Sequence, residues 1–261
     1  MIADDDHLVL RLARDRRDVR AAQRLRYAVF VEEMGADGPL VDHAARLEAD
    51  AFDPIFDHLL LVDTRRDPAT LDDVVGAYRM LPGDRLGPDG RFYSDAEYDL
   101  AVLRASGRRL LELGRSCVRR DYRGGLAMLH LWNGLAAYVA DRRIEVLFGV
   151  ASFPGTDPAR LAVPLSWLHH HCLAPPALRV VARPPARAEM AILPPDRLDR
   201  RAALRAMPAL IRAYLRMGGL VGDGASVDRA FNTTDVCLVM ETAHLSARGR
   251  ALLARGMERP A

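Results

Sequence analysis

The chain has 261 residues, half of them hydrophobic and 28% charged, and its 37 basic residues against 35 acidic ones leave a formal charge of +2. That length admits one large domain or two small ones, and the composition belongs to a folded globular chain, which excludes disorder, collagen and coiled coil. So even a balance of charge also excludes general nucleic-acid binding, which calls for a clear basic excess.

The predicted elements begin with a short strand at 9–12, after which Asp15 stands as an N-cap before an arginine-rich helix carrying Leu25, Val29 and Phe30. A looser acidic stretch at 42–57 leads to strands at 58–62 and 74–81, joined as a hairpin by the turn-rich 63–73. A loop at 82–90, a strand at 110–118, a glycine turn at Gly124 and Gly125, an amphipathic helix at 126–141 and a buried strand at 144–151 follow. Beyond them the pattern gives a helix at 158–171, a strand at 177–181, a helix at 198–217 kinked by Pro208, and a final strand at 236–240. The order predicts a mixed α/β sheet with helices on both faces. With no long polar linker, one domain over 1–261 is expected, its core at 1–155 and its remainder, 156–261, completing the sheet with added helices.

Every basic residue is arginine, because the chain has no lysine. A guanidinium stays charged and forms no Schiff base, so a Walker A nucleotidase, a pyridoxal enzyme and an S-x-x-K acyl enzyme are all excluded. Cys117, Cys172 and Cys237 are widely spaced and form no C-x-x-C, so neither a disulfide framework nor a cysteine zinc site is expected. A reducing cytoplasm fits them. His169, His170 and His171 are adjacent, and adjacent helical positions diverge, so no metal site is expected there. The acidic start at 1–6 lacks the regions of a secretory signal, and no apolar run reaches the roughly 18 residues that span a bilayer, so membrane contact is expected to be peripheral at most.

Chemistry concentrates in Leu-Leu-Glu112-Leu-Gly114-Arg115-Ser-Cys-Val, which places opposite charges inside a strand. Regular alternation would send Glu112 and Arg115 to opposite faces, whereas a bulge at Gly114 would bring them to one. The glycine turn that follows offers backbone N–H groups at a helix N-terminus, with Arg120 and Arg123 adding charge, which suits a phosphate. A tight turn with no ligand is the plain alternative. No Ser-His or Cys-His arrangement stands out, and Ser152, outside any G-x-S-x-G elbow, reads as a strand-end or pocket residue.

These features resemble the GNAT acyltransferase superfamily, which implies a mostly antiparallel mixed sheet with a splayed, bulged central strand and a loop cradling the pyrophosphate of coenzyme A. Here Arg123 stands where the first loop glycine would, and the 4′-phosphopantetheine arm of acyl carrier protein, with its single phosphodiester, demands less of that loop. Segments 25–33, 52–58, 112–116, 148–155 and 225–235 resemble bacterial ornithine-lipid-forming L-ornithine N-acyltransferases, which are similar in turn to acyl-homoserine lactone synthases. The resemblance implies acyl transfer, with no resident cofactor, from acyl carrier protein to the α-amine of ornithine. It implies acceptor-side roles for Arg26, Phe30, Asp50, Asp53 and Arg79, and a catalytic pair in Glu112 and Arg115. The tryptophan of the lactone synthases is absent from 31–34, which disfavours lactone formation.

Two basic regions admit partner readings. Arg119, Arg120, Arg123, Arg142 and Arg143 suggest a docking patch for an acidic carrier, against the plain reading of solvated charge. Helix 198–217 pairs arginines with an apolar stripe, which suits either core packing or rest on anionic lipid at the inner membrane.

Overall fold

The computed structural model describes residues 6–247 and 249–251, so nearly all of the acidic start lies outside the described residues. The described residues form two compact units, the first built from 6–81 and 113–143 and the second from 82–112, 144–247 and 249–251.

In the first unit, strand β1 (Leu8–Leu12) pairs antiparallel with β2 (Asp57–Asp63), and β2 with β3 (Val74–Pro82), whose neighbour is β4 (Leu110–Val118). The β2–β3 hairpin carries a register shift between Leu61 and Val62. Helix α1 (Arg16–Arg26) starts where the Asp15 carboxylate accepts from the Asp18 N–H at 2.9 Å, satisfying one of the donors that a helix start leaves unpaired. It continues into a wider π-helical turn, Tyr27–Glu33. Alternation along the strands divides their side chains between two layers. Leu60, Val62 and Ala77 meet Ala21, Ala22 and Leu25 of α1 on one face. On the other lies α2 (Ala127–Asp141), whose Gly134 lets Leu10 and Leu59 approach, while its Leu131 packs over Gly76 and Leu61.

In the second unit, the first residues of β4 pair in parallel with β5 (Val146–Pro154), from Leu110↔Val146 to Glu112↔Phe148. β5 pairs antiparallel with the nine-residue β7 (Thr233–Glu241), which pairs with β6 (Ala225–Asp228). The same unit holds α3 (Ala162–Cys172), α4 (Arg200–Ala206) and α5 (Ala209–Met217), besides a short helix at Ala101–Ala105. The sheet strands are mostly antiparallel, as the resemblance implied.

Several expectations are corrected. The helix expected at 198–217 is broken rather than kinked: Met207 and Pro208 are extended between α4 and α5, because Pro208 supplies no N–H and disfavours a helical residue before it. The strand expected at 177–181 is a turn followed by a two-residue strand, Val181–Ala182. The helix expected at 158–171 opens with a tighter turn, Pro158–Leu161, capped by Asp157. The strand at 225–228 carries no clean alternation, and the sequence reading did not find it.

Replacing Asp15 by alanine removes the cap of α1, and urea unfolding should show a loss of about 1 kcal/mol; an unchanged midpoint would show that the cap contributes nothing.

Candidate active site

The first unit buries a lattice of opposite charges. Arg26, at the last turn of α1, is 1% exposed and reaches Glu48 through Nε. Its Nη1 donates to Asp53 Oδ1 at 2.6 Å, and its Nη2 to Asp53 Oδ2 at 3.0 Å and to the Glu48 carbonyl at 2.5 Å. Arg79 on β3, also 1% exposed, donates through Nη1 to both oxygens of Asp50, at 2.7 and 2.8 Å, and to Asp53 Oδ1 at 2.8 Å. Its guanidinium carbon lies 4.3 Å from the centre of the Phe56 ring. Arg115 completes the lattice, with Nε 3.1 Å from Glu48 Oε1 and Nη2 3.6 Å from Asp50 Oδ2.

Three guanidiniums thus face three carboxylates. Burying such ions costs several kcal/mol each, so the lattice persists only because the charges balance and are hydrogen-bonded. Local turns aim the carboxylates: Asp50 Oδ1 accepts from the N–H groups of Phe52 and Asp53, at 2.9 and 3.1 Å. Gln23 adds a donor to Asp53 Oδ2 at 2.8 Å, and His58 Nε2 donates to the Asp53 carbonyl at 2.9 Å. Burial alone would raise the Asp53 carboxyl, but hydrogen bonds from Arg26 and the charges of Arg26 and Arg79 hold it far below the usual carboxylate range. Burial pushes the His58 imidazole down, which favours the neutral ring.

On β4 the backbone leaves the extended region at Arg115, where φ is +49°, one residue beyond the glycine that the sequence singled out. An L-residue is strained in that region. A β-carbon added at Gly114 would meet no heavy atom within 4 Å. The irregularity follows directly after the paired residues Leu110–Glu112. Glu112, in the second unit, is 1% exposed and accepts from the N–H groups of Tyr93 and Ser94 and from the Ser94 hydroxyl, at 2.7, 2.6 and 2.5 Å.

Arg26, Asp50, Asp53, Arg79 and Arg115 are therefore brought together, with Glu48 as a shared partner that sequence reasoning missed. Only its place beside the marked aspartates hinted at it. Phe30, in the π-helical turn, is half-buried and packs on the apolar cluster of Leu25, Val29, Leu60 and Cys117. Ser152 is half-buried on β5 opposite Asp235 of β7. At the glycine turn Gly124 has φ +80°, a conformation that favours glycine, and added β-carbons at Gly124 and Gly125 would meet little. Arg120 is exposed, while Arg123 donates to both oxygens of Glu33, at 2.8 and 3.2 Å.

Ion pairs run through the expected basic patch. Arg119 is engaged with Asp121 and Asp72, Arg123 with Glu33 and Arg142 with Asp57, and the 15-residue α2 separates Arg142 from the glycine turn by about 20 Å. Burial pushes the Cys117 thiol up to about 12 and Cys237 higher still, which favours the protonated form of both.

The lattice makes two measurable predictions. Glu48→Ala removes the carboxylate that Arg26 and Arg115 share, leaving a surplus of buried positive charge, and should cost about 3–5 kcal/mol by urea denaturation. Because the Asp53 carboxyl is depressed on folding, its contribution is complete above about pH 4 and is lost as pH falls below that. Acid titration of Asp53→Asn should therefore show a shallower loss of stability below about pH 4 than the parent; equal slopes would contradict the assignment.

Residues 25–133 match the family model described as an acetyltransferase (GNAT) domain. An N-acyl amino acid synthase from uncultured soil microbes has the same fold, with TM-score 0.54 at 11% identity over 94% of this chain and 97% of that one. A CoA-dependent acyl-homoserine lactone synthase superposes with TM-score 0.51 at 16% identity, over 94% and 84% respectively. In sequence, the chain is 62% identical to an L-ornithine N(alpha)-acyltransferase of Rhodobacter capsulatus over 249 residues, 95% of each protein. It is 44% identical to one of Agrobacterium fabrum, over 92% of this chain and 83% of that protein. A GNAT fold carrying such identity along almost its entire length places the chain in the L-ornithine N(alpha)-acyltransferase family, as an N-acyltransferase.

Proposed function

We propose that the protein transfers a 3-hydroxylated fatty acyl group from the 4′-phosphopantetheine thioester of acyl carrier protein to the α-amine of L-ornithine, forming lyso-ornithine lipid. The observation that carries this reading is the 62% identity, over 95% of the chain, with a protein named for that acceptor and that amine. The raised Cys117 and Cys237 thiols favour direct transfer over a covalent cysteine intermediate.

In direct transfer the neutral amine attacks the thioester carbonyl. A carbon–nitrogen bond forms, the carbon–sulfur bond breaks, and the departing thiolate takes up a proton. Glu112 is assigned as acceptor of the amine proton, directly or through water, and Arg115 as support for the carbonyl oxygen. Phe30, Asp50 and Arg115 are assigned acceptor-side roles in the first unit, and Ser152 a pocket role in the second. Arg26, Asp53 and Arg79 are assigned to hold the lattice that fixes Asp50 and Arg115. Arg120, Arg123, Gly124 and Gly125 receive the phosphodiester of the donor arm. The open space above Gly114, Gly124 and Gly125 supports passage of an extended arm along β4 and its turn.

No helix among the described residues is long and apolar enough to cross a membrane. Contact with the cytoplasmic membrane face, where an amphiphilic product would be released, rests on the exposed Arg200, Arg201 and Arg205, because Ala203, Met207, Ile211, Tyr214 and Met217 are buried.

Incubating the protein with 3-hydroxyacyl carrier protein and a mixture of amino acids should give acyl-ornithine as the major product by mass spectrometry; acylation of a different amino acid, or none, would overturn the reading. Glu112→Gln should lower turnover on the order of 10²-fold with the fold retained, and wild-type turnover would remove Glu112 from the mechanism.

A further inference from the structure

The Glu112 carboxylate is gripped by a segment 18 residues earlier in the chain. The turn Tyr93–Ala96 presents two backbone N–H groups and one hydroxyl to it, with the Ser94 N–H and Ser94 Oγ both on Oε1 and the Tyr93 N–H on Oε2. Any residue at 94 would supply the backbone donors. The hydroxyl is the part of the cradle that depends on serine.

The turn is braced from outside. The Phe92 N–H donates to Asp95 Oδ2 at 2.8 Å, and Arg104 Nη1 holds Asp95 Oδ1 at 2.8 Å. The Arg104 guanidinium lies 5.3 Å from the Phe92 ring centre. Phe92 in turn packs edge-on against Phe148, with centroids 4.9 Å apart and planes at 87°, and Phe148 is the register partner of Glu112. The segment that holds the carboxylate is thus tied to the strand beside it, all within the second unit.

We propose that Ser94 is a positioning residue of the acyl transfer, its hydroxyl fixing one oxygen of Glu112 so that the carboxylate meets the departing amine proton in a single orientation. This rests on the assignment of Glu112 as proton acceptor. A carboxylate held at both oxygens cannot turn about its last bonds without leaving a buried donor unsatisfied, and proton transfer depends steeply on such orientation. A braced turn with a charge-assisted hydroxyl bond is how a rigid scaffold supplies that orientation.

Ser94→Ala keeps both backbone donors. It is expected to lower kcat about tenfold while KM for acyl carrier protein and for ornithine stays within about twofold. Ser94→Thr, which restores a hydroxyl, should recover most of the rate. In the Glu112→Gln background, Ser94→Ala should cause no further loss, because the two residues act as one unit. Asp95→Asn loosens the same turn without touching Glu112 and should lower kcat in the same direction, which keeps the test decisive if Ser94→Ala is unstable by thermal melting. Wild-type kcat in Ser94→Ala, losses that multiply in the double variant, or an unstable Ser94→Ala beside a wild-type Asp95→Asn would each overturn the proposal. Slow turnover in Glu112→Gln with full turnover in Ser94→Ala removes the positioning role alone, whereas full turnover in Glu112→Gln removes the underlying assignment.

Discussion

Three guanidinium groups withdrawn from water within one small unit persist only if every charge finds an opposite one at hydrogen-bond distance, and this requirement organises the first unit of the protein. Arg26 arrives at the end of α1, Arg79 in the middle of β3 and Arg115 at the irregular point of β4, and Glu48, Asp50 and Asp53 come from the stretch that precedes β2. Each carboxylate serves two guanidiniums and each guanidinium two carboxylates, so withdrawing any one of them upsets the charge balance of two buried partners. The lattice ties a helix, two strands and an irregular stretch into one rigid body. Arg115 can then hold a strained backbone angle, because its side chain is anchored at the far end.

The second unit uses a different device. Glu112 is buried and accepts three hydrogen bonds from the turn at Tyr93 and Ser94. Backbone N–H groups and a hydroxyl grip Glu112, whereas guanidinium groups grip Glu48 and Asp53.

Much of the architecture was legible. Asp15 as a cap, the hairpin of β2 and β3, the bounds of Leu110–Val118 and the glycine turn before α2 all follow from local rules, namely unpaired helix donors, two-residue alternation and the freedom of glycine. The candidate site was legible as residue types, with Arg26, Asp50, Asp53, Arg79, Glu112 and Arg115 marked by charge in otherwise apolar surroundings and by family likeness. Glu48 and Ser94 were not. Apart from its place beside Asp50 and Asp53, Glu48 reads like any other acid of that stretch, and Ser94 sits in a polar loop like many others.

What the sequence by itself determined is the chemistry available: arginine as the only fixed cation, no reactive lysine, no paired cysteines, charges inside a strand and a glycine turn ahead of a helix. Tertiary structure decided which charges meet. Arg115 and Glu48 are 67 residues apart, Arg79 and Asp50 are 29 apart, and Ser94 reaches Glu112 across 18. Local propensity acts over a turn or two of chain, while a buried ion accepts whatever opposite charge the packing of distant elements brings within about 3 Å. That pairing is a property of the packed fold and leaves no period or motif in the sequence to read.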